Sequence, residues 1–177
     1  EEEVISSHMD LAILSRASSS KLWKDTVLLR LFGWTKIPLL GFIQPRVRHM
    51  DADSCVIEVP LSWRTRNHLR SMYFGVLSAG ADLAGGLLAM RIIQGSGKNV
   101  SLVFKDFKAD FLKRAESRTL FVCHEGAQVR AFLDRVLASP DRQEMPVHVE
   151  AHSLIENKWE CVARFTLTLS LKNRSTK

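Results

Sequence analysis

Residues 73–90 read YFGVLSAGADLAGGLLAM, eighteen residues in which Asp82 is the single acidic or basic side chain. A run that long and that apolar reaches the threshold for spanning a bilayer. Glycines at 75, 80, 85 and 86, the central aspartate and the lack of a second such segment argue for another solution. A helix apolar on nearly all sides is one wrapped by the rest of its own protein. The run therefore predicts a buried central helix over about 74–93, and the remaining chain must supply the layer that covers it.

Strands are available for that layer. The tail reads as a long hairpin, Pro146 to Leu154 and Lys158 to Lys172, turning at Glu156-Asn157. In its last strand Trp159, Cys161, Ala163, Phe165, Leu167, Leu169 and Leu171 alternate with Arg164, Thr166, Thr168, Ser170 and Lys172, which predicts one dry and one wet face. Arg46 to Trp63 reads as two strands around the polar tip Asp51-Ala52-Asp53, the second buried mainly through Cys55, Ile57, Val59 and Leu61. Val100 to Phe111 and Thr119 to His124 complete the set. Phe107, Ala109 and Phe111 are out of phase with Leu102 and Phe104, so a bulge is expected near Asp106. Val129, Phe132, Leu133, Val136 and Leu137 mark a short amphipathic helix ending before Pro140.

Ahead of the strands, Lys21 to Trp34 predicts a helix with Ser20 as N-cap and Gly33 as stop. Its stripe of Leu22, Trp23, Val27, Leu31 and Trp34 suits packing across the domain's own core better than lying on a membrane surface. Ile37 to Pro45, with a proline near each end, is expected to be a connector. The chain divides into an N-terminal segment, 1–20, and a single domain, 21–177. Ser7-His8-Met9 resembles a cloning remnant, which would place the natural start at Met9.

The formal charge of +6 favours an anionic partner without choosing one. No zinc finger, aromatic RNA-binding motif or helix-turn-helix points to nucleic acid. Cys55, Cys123 and Cys161 are odd in number and form no CxxC pair, which suits reduced, buried thiols in a cytoplasmic protein. The Glu-Glu-Glu opening shows no signal peptide.

Asp82 is the residue most exposed to chemical argument. A carboxylate among leucine, alanine and glycine loses hydration, which raises its pKa unless it is partnered. Such a group suits a base working near neutral pH. The structural alternative is an aspartate satisfied by a hydroxyl, a backbone group, His68 or Arg66. Asn67 could position water or a carbonyl through its amide, or simply shape a turn. His148, Glu150 and His152 share one face of a strand, about 7 Å apart in succession, and one flat strand rarely encloses an ion, so no metal is expected. Cys123-His124 point to opposite faces and make no nucleophile–base pair.

Asn67-His68-Leu69-Arg70-Ser71-Met72-Tyr73-Phe74-Gly75, followed by Ala81-Asp82-Leu83-Ala84, resembles the signature of phenylacetate-pathway-type hotdog thioesterases. That signature is an asparagine, a His-Gly-Gly opening the central helix, and an acid two to three turns on. Phe111 to Ala115 (FLKRA) is similar to the strand-end "F-L-R-P-A" run of these enzymes. The chain resembles particularly an uncharacterised subgroup with an N-terminal helix and "R-x-R-N-H" before the central helix. Tyr73 and Phe74 stand where the family has histidine and its first glycine, and only Gly75 is retained.

The resemblance implies an α+β hotdog fold, a long antiparallel sheet wrapped around the central helix, assembled as a homodimer or dimer of dimers. It implies hydrolysis of an acyl-CoA or acyl-carrier thioester. Asp82 would be base or nucleophile, and Asn67 would position water or the carbonyl. Tyr73 would donate to the carbonyl or close the pocket, and the Phe74 and Gly75 amides would hold the oxyanion. Arg64, Arg66, Arg70, Lys113 and Arg114 would meet coenzyme A phosphates. No cofactor beyond the substrate's coenzyme A is implied. The alternatives are a non-catalytic acyl or acyl-CoA binder and, with the histidine missing, a disfavoured dehydratase.

Overall fold

The computed structural model describes residues 20–174; the proposed start at Met9 and the segment before Ser20 lie outside them. In chain order the elements are α1 (Ser20–Lys36), α2 (Pro38–Phe42), β1 (Arg46–Met50), β2 (Cys55–Val59), α3 (Phe74–Gly95) and β3 (Val100–Phe111). They continue with β4 (Thr119–Cys123), α4 (Gly126–Leu137), β5 (Gln143–Ile155) and β6 (Lys158–Asn173). The strands form one antiparallel sheet in the order β1-β2-β4-β5-β6-β3. The sheet curls around α3, which is the hotdog arrangement.

The apolar run forms α3 for the reason its composition suggests. Val76, Leu77, Ala81, Leu83, Ala84, Leu88 and Ala89 are buried against inward-facing residues of the sheet, among them Ile57, Phe121, Val147, Val149, Phe165 and Leu167. By length and apolarity α3 alone among the described helices could cross a bilayer, and most of it is buried inside the fold. Gly80 is there because the ring of Phe121 occupies the space a Cβ would need.

The expected bulge in β3 is present: its register with β6 shifts between Phe104 and Phe107. The hairpin turns at Glu156 and Asn157, both at positive φ, as a tight two-residue connection requires. A second register shift, between Ala151 and His152 of β5, corrects the alternation expected for β6. Val162 and Ala163 are both buried, so Trp159 and Cys161 fall on the opposite face from Phe165 and Leu167. Trp159 packs instead on Val56, Leu120 and Val122.

β2 is also buried on both faces rather than one. On the outer face the Glu58 carboxylate, 1% exposed, accepts two hydrogen bonds from Arg48 at 3.2 and 2.9 Å, with Arg46 and Arg118 beyond. Three guanidinium groups gathered around one buried carboxylate compensate its charge.

The N-terminal region departs from expectation in three respects. Gly33 does not stop α1; it lies inside it, where a Cβ would stand 2.5 Å from the Gly41 backbone nitrogen. The 37–45 connector contains a short helix, α2, started by Pro38 at its first position, where the missing N–H costs nothing. The stripe expected to face the core is largely outside: Trp23 is 66% and Trp34 58% exposed, while Leu29 is the buried anchor. Thr26 Oγ1 accepts the Val47 N–H at 3.0 Å, and Arg30 Nε donates to the Pro45 carbonyl at 3.0 Å, which fasten α1 to the start of β1.

Candidate active site

The segment entering α3 is a stiff backbone assembly. Thr65, buried, donates through its hydroxyl to the Pro60 carbonyl at 2.7 Å and accepts the Ser62 N–H at 2.8 Å. The Asn67 amide oxygen accepts from the Leu69 and Ser71 N–H groups at 2.9 and 3.2 Å, and its nitrogen lies 3.1 Å from the Ser71 hydroxyl. Both polar ends of Asn67 thus work inside the loop. The Tyr73 N–H donates to Thr65 and the Met72 N–H to Ala115, both at 2.8 Å, tying the FLKRA run to the helix entrance.

This scaffold fixes the first turn of α3. Tyr73 is the N-cap residue but supplies no side-chain cap. The Phe74 and Gly75 N–H groups donate to no partner among the described residues. They are aligned with the dipole of a 22-residue helix, a natural seat for developing negative charge. The rings of Tyr73 and Phe74 lie beside each other, centroids 4.7 Å apart, and Phe74 meets Phe111 edge-on at 6.4 Å.

Asp82 lies nine residues further on, about 13 Å along the helix axis from Tyr73. It makes no hydrogen bond or ion pair with any described residue, His68 and Arg66 included. Burial pushes its carboxyl pKa above the ordinary aspartate value. One turn later Gly86 leaves the flank of the carboxylate bare. Asp82 faces a cavity of about 610 Å³ between α1, α3 and β3, walled by leucines with Phe32, Met90 and Phe104. That volume is within the range of small-molecule sites, about 300–1,000 Å³.

The five basic residues separate into two groups. Arg64 stacks over the rings of Phe42 and Trp63 at 5.5 and 5.2 Å; Lys113 pairs with Glu160; Arg114 pairs with Glu116 at 3.2 Å and donates to the Leu69 carbonyl at 2.7 Å. Arg66 and Arg70 are exposed and make no ion pair among the described residues.

On the outer sheet face, the histidines of HVEAH do not converge. His148 Nδ1 meets Glu125 at 2.7 Å, whereas His152 Nε2 meets Glu150 at 3.1 Å. Because of the β6 bulge, Cys161 joins Glu150 and His152, with ligand atoms all within 4.8 Å. Arg164 also donates to Glu150 at 3.1 Å, so a cation already occupies this corner. Burial raises the pKa of the Cys123 thiol to about 12, and that of Cys55 well above the ordinary range, the behaviour of inert interior thiols.

The sequence missed the α1 wall of the cavity. Leu28, Leu29 and Phe32 line it, but apolar and charged residues are intermixed around the circumference of α1, so periodicity did not single out these residues.

A sheet wrapped around one helix is the architecture of the thioesterase-family hotdog proteins. The chain belongs to the family described as a domain of unknown function, DUF4442, which matches residues 26–171. Among solved structures it is similar to a protein of unknown function from Chlorobaculum tepidum, at 15% identity and TM-score 0.72, covering 86% of this chain and 97% of that one. It is similar to a Pseudomonas aeruginosa protein described as a probable thioesterase, at 20% identity and TM-score 0.69, covering 84% and 96%. A Haemophilus influenzae thioesterase is similar at 18% identity and TM-score 0.61, covering 82% and 88%. These likenesses establish the fold. No curated protein sequence matches.

Proposed function

We propose that the protein hydrolyses an acyl-CoA-like thioester, with Asp82 as general base. The observation that carries this reading is Asp82 itself: an unpartnered carboxylate of raised pKa at the edge of an apolar cavity. Its carboxylate takes a proton from water as the water oxygen adds to the thioester carbonyl carbon. Two helix-start amides hold the resulting oxyanion. The C–S bond then breaks, and the proton held by Asp82 passes to the departing sulfur, leaving a carboxylic acid and a thiol. Asn67 serves this site by holding the loop that presents the amides. Arg66 and Arg70 are the cations most available to coenzyme A phosphates.

The amides and the carboxylate cannot act together within one chain. Gly75 and Asp82 are seven residues apart on one helix, about 10 Å along its axis. A second copy can bring its Phe74 and Gly75 amides to the Asp82 of the first. The edge strand β3 supports such pairing: it is 12 residues long, and Val103, Phe107 and Phe111 stand exposed on it. An edge of this length, with exposed apolar residues between Lys105, Asp106, Lys108 and Asp110, offers a second copy a strand to pair with.

The test is thiol release from a panel of short, long and aromatic acyl-CoAs. The expected result is turnover by the native protein and none above background for Asp82→Asn at unchanged fold. A panel without turnover, or turnover that survives Asp82→Asn, would overturn the reading. The covering of Gly75 by the Tyr73 ring favours the second reading, an acyl-CoA binder, which the same panel separates by binding without thiol release.

A further inference from the structure

The cavity is directional. On α3 its lining falls on one stripe, Asp82, Gly86, Leu87, Met90, Arg91 and Gln94, so it runs along the helix axis away from the carboxylate. The middle of this stripe is apolar, and the opposite wall is Leu28, Leu29 and Phe32 of α1. β3 closes the third side with Leu102, Val103 and Phe104.

Polar groups return at the far end. Arg91 of α3 faces Asp25 of α1 at 4.0 Å, and Asp25 Oδ2 is buried without a hydrogen-bond partner. From Asp82 the helix advances about 13 Å to Arg91 and about 18 Å to Gln94. An extended hydrocarbon chain, with bonds near 1.5 Å and angles near 111°, advances about 1.25 Å per carbon. The apolar passage therefore holds about ten to fourteen carbons before it meets charge.

We infer that this cavity is a ruler for an unbranched fatty acyl chain of about ten to fourteen carbons, with α1 as the wall that makes it long. The inference rests on the thioesterase reading for the position of the reacting carbonyl beside Asp82. A short or aromatic acyl group would leave most of the 610 Å³ unfilled. A chain longer than the passage would push its terminal methylenes onto Arg91, Asp25 and Gln94. Each buried methylene adds affinity until that point, several-fold per carbon for full burial.

The test uses the full chain and two readouts. Displacement of a fluorescent fatty-acid probe by saturated acids from four to eighteen carbons reads the pocket, and thiol release from the matching acyl-CoAs reads the chemistry. Affinity is expected to climb about tenfold with each added pair of carbons and to level off between ten and fourteen. Met90→Trp, which fills the distal half, should move that break about four carbons shorter and leave six-carbon ligands unchanged. Leu87→Phe serves the same purpose if Met90→Trp does not fold.

Affinity flat across the series, a break below eight carbons, or a break that ignores both variants would overturn the ruler. Chain-length-dependent binding without thiol release would leave the ruler standing and remove the thioesterase reading. Thiol release at equal efficiency for all lengths, with flat binding, would do the reverse.

Discussion

The ring of Tyr73 lies over Gly75: a Cβ at position 75 would stand 2.6 Å from Tyr73 Cε1. Any larger residue at 75 would have to swing the ring away. The Tyr73 hydroxyl makes no hydrogen bond among the described residues, which accords with a role through shape in the proposed site. Tyr73→Phe is expected to keep thiol release within about twofold of native. A loss of 100-fold or more, the scale of a proton-donating group, would show instead that the phenol donates to substrate.

Asp82 has a raised pKa because burial disfavours its charge. For such a group the stabilisation of the neutral form is full below the unfolded value, near 4, and is lost as pH rises through the folded value. At neutral pH the ionised carboxylate thus weighs against the fold. Asp82→Asn should raise Tm at pH 7, and the gain should shrink to nothing below about pH 4. Thermal melts across pH check this, and a Tm lowered by the substitution at pH 7 would show a hidden partner for the carboxylate.

Glu150 behaves in the opposite sense. Its hydrogen bond to His152, foremost, and that to Arg164 hold its pKa at about 2 against an ordinary 4.5. The stability it contributes is present above the unfolded value and is lost as pH falls from about 4.5 towards 2. Glu150→Gln should flatten the acid limb of the stability curve in that window while leaving thiol release at pH 7 unchanged. Urea titrations at successive pH values read the first, and the acyl-CoA panel the second.

Gly80 and Phe121 share one space in the core, with the ring lying where a Cβ would go. Gly80→Ala should cost about 1–3 kcal/mol through overpacking, outweighing the helix propensity that alanine adds. Denaturant unfolding measures it; a neutral or stabilising result would mean that Phe121 has room to move.

If β3 is the meeting edge, a charge in its middle should separate the copies. Phe107→Asp is expected to give a folded monomer by light scattering and to abolish thiol release, since each Asp82 would lose the amides of the other chain. A monomeric native protein with full turnover would remove the shared site.

Legibility in the sequence followed the strength of the physical constraint. α3 was visible because eighteen nearly uncharged residues can be satisfied in few ways. The β3 bulge was visible because Leu102 and Phe104 are out of phase with Phe107. The β6 bulge at Val162 was not, since Trp159, Cys161 and Ala163 read as one continuous apolar phase whichever face they occupy. α2 was hidden because the same proline that ends one element opens another. In the site, Asp82 announced itself by isolation, whereas the local bonds of Asn67 and the split between free and engaged arginines depend on neighbours far apart in sequence.

The close approach of Gly33 to Gly41, with the two bonds that fasten α1 to the start of β1, holds α1 at one margin of the sheet. Of the α1 residues that line the cavity, Leu29 belongs to the core around α3, whereas Leu28 and Phe32 stand 62% and 38% exposed. Drift at Leu28 or Phe32 can therefore reshape the cavity wall while the core, the helix and its wrapping sheet, is left alone. Homologues that keep the Gly33–Gly41 contact would share one architecture and differ in diet.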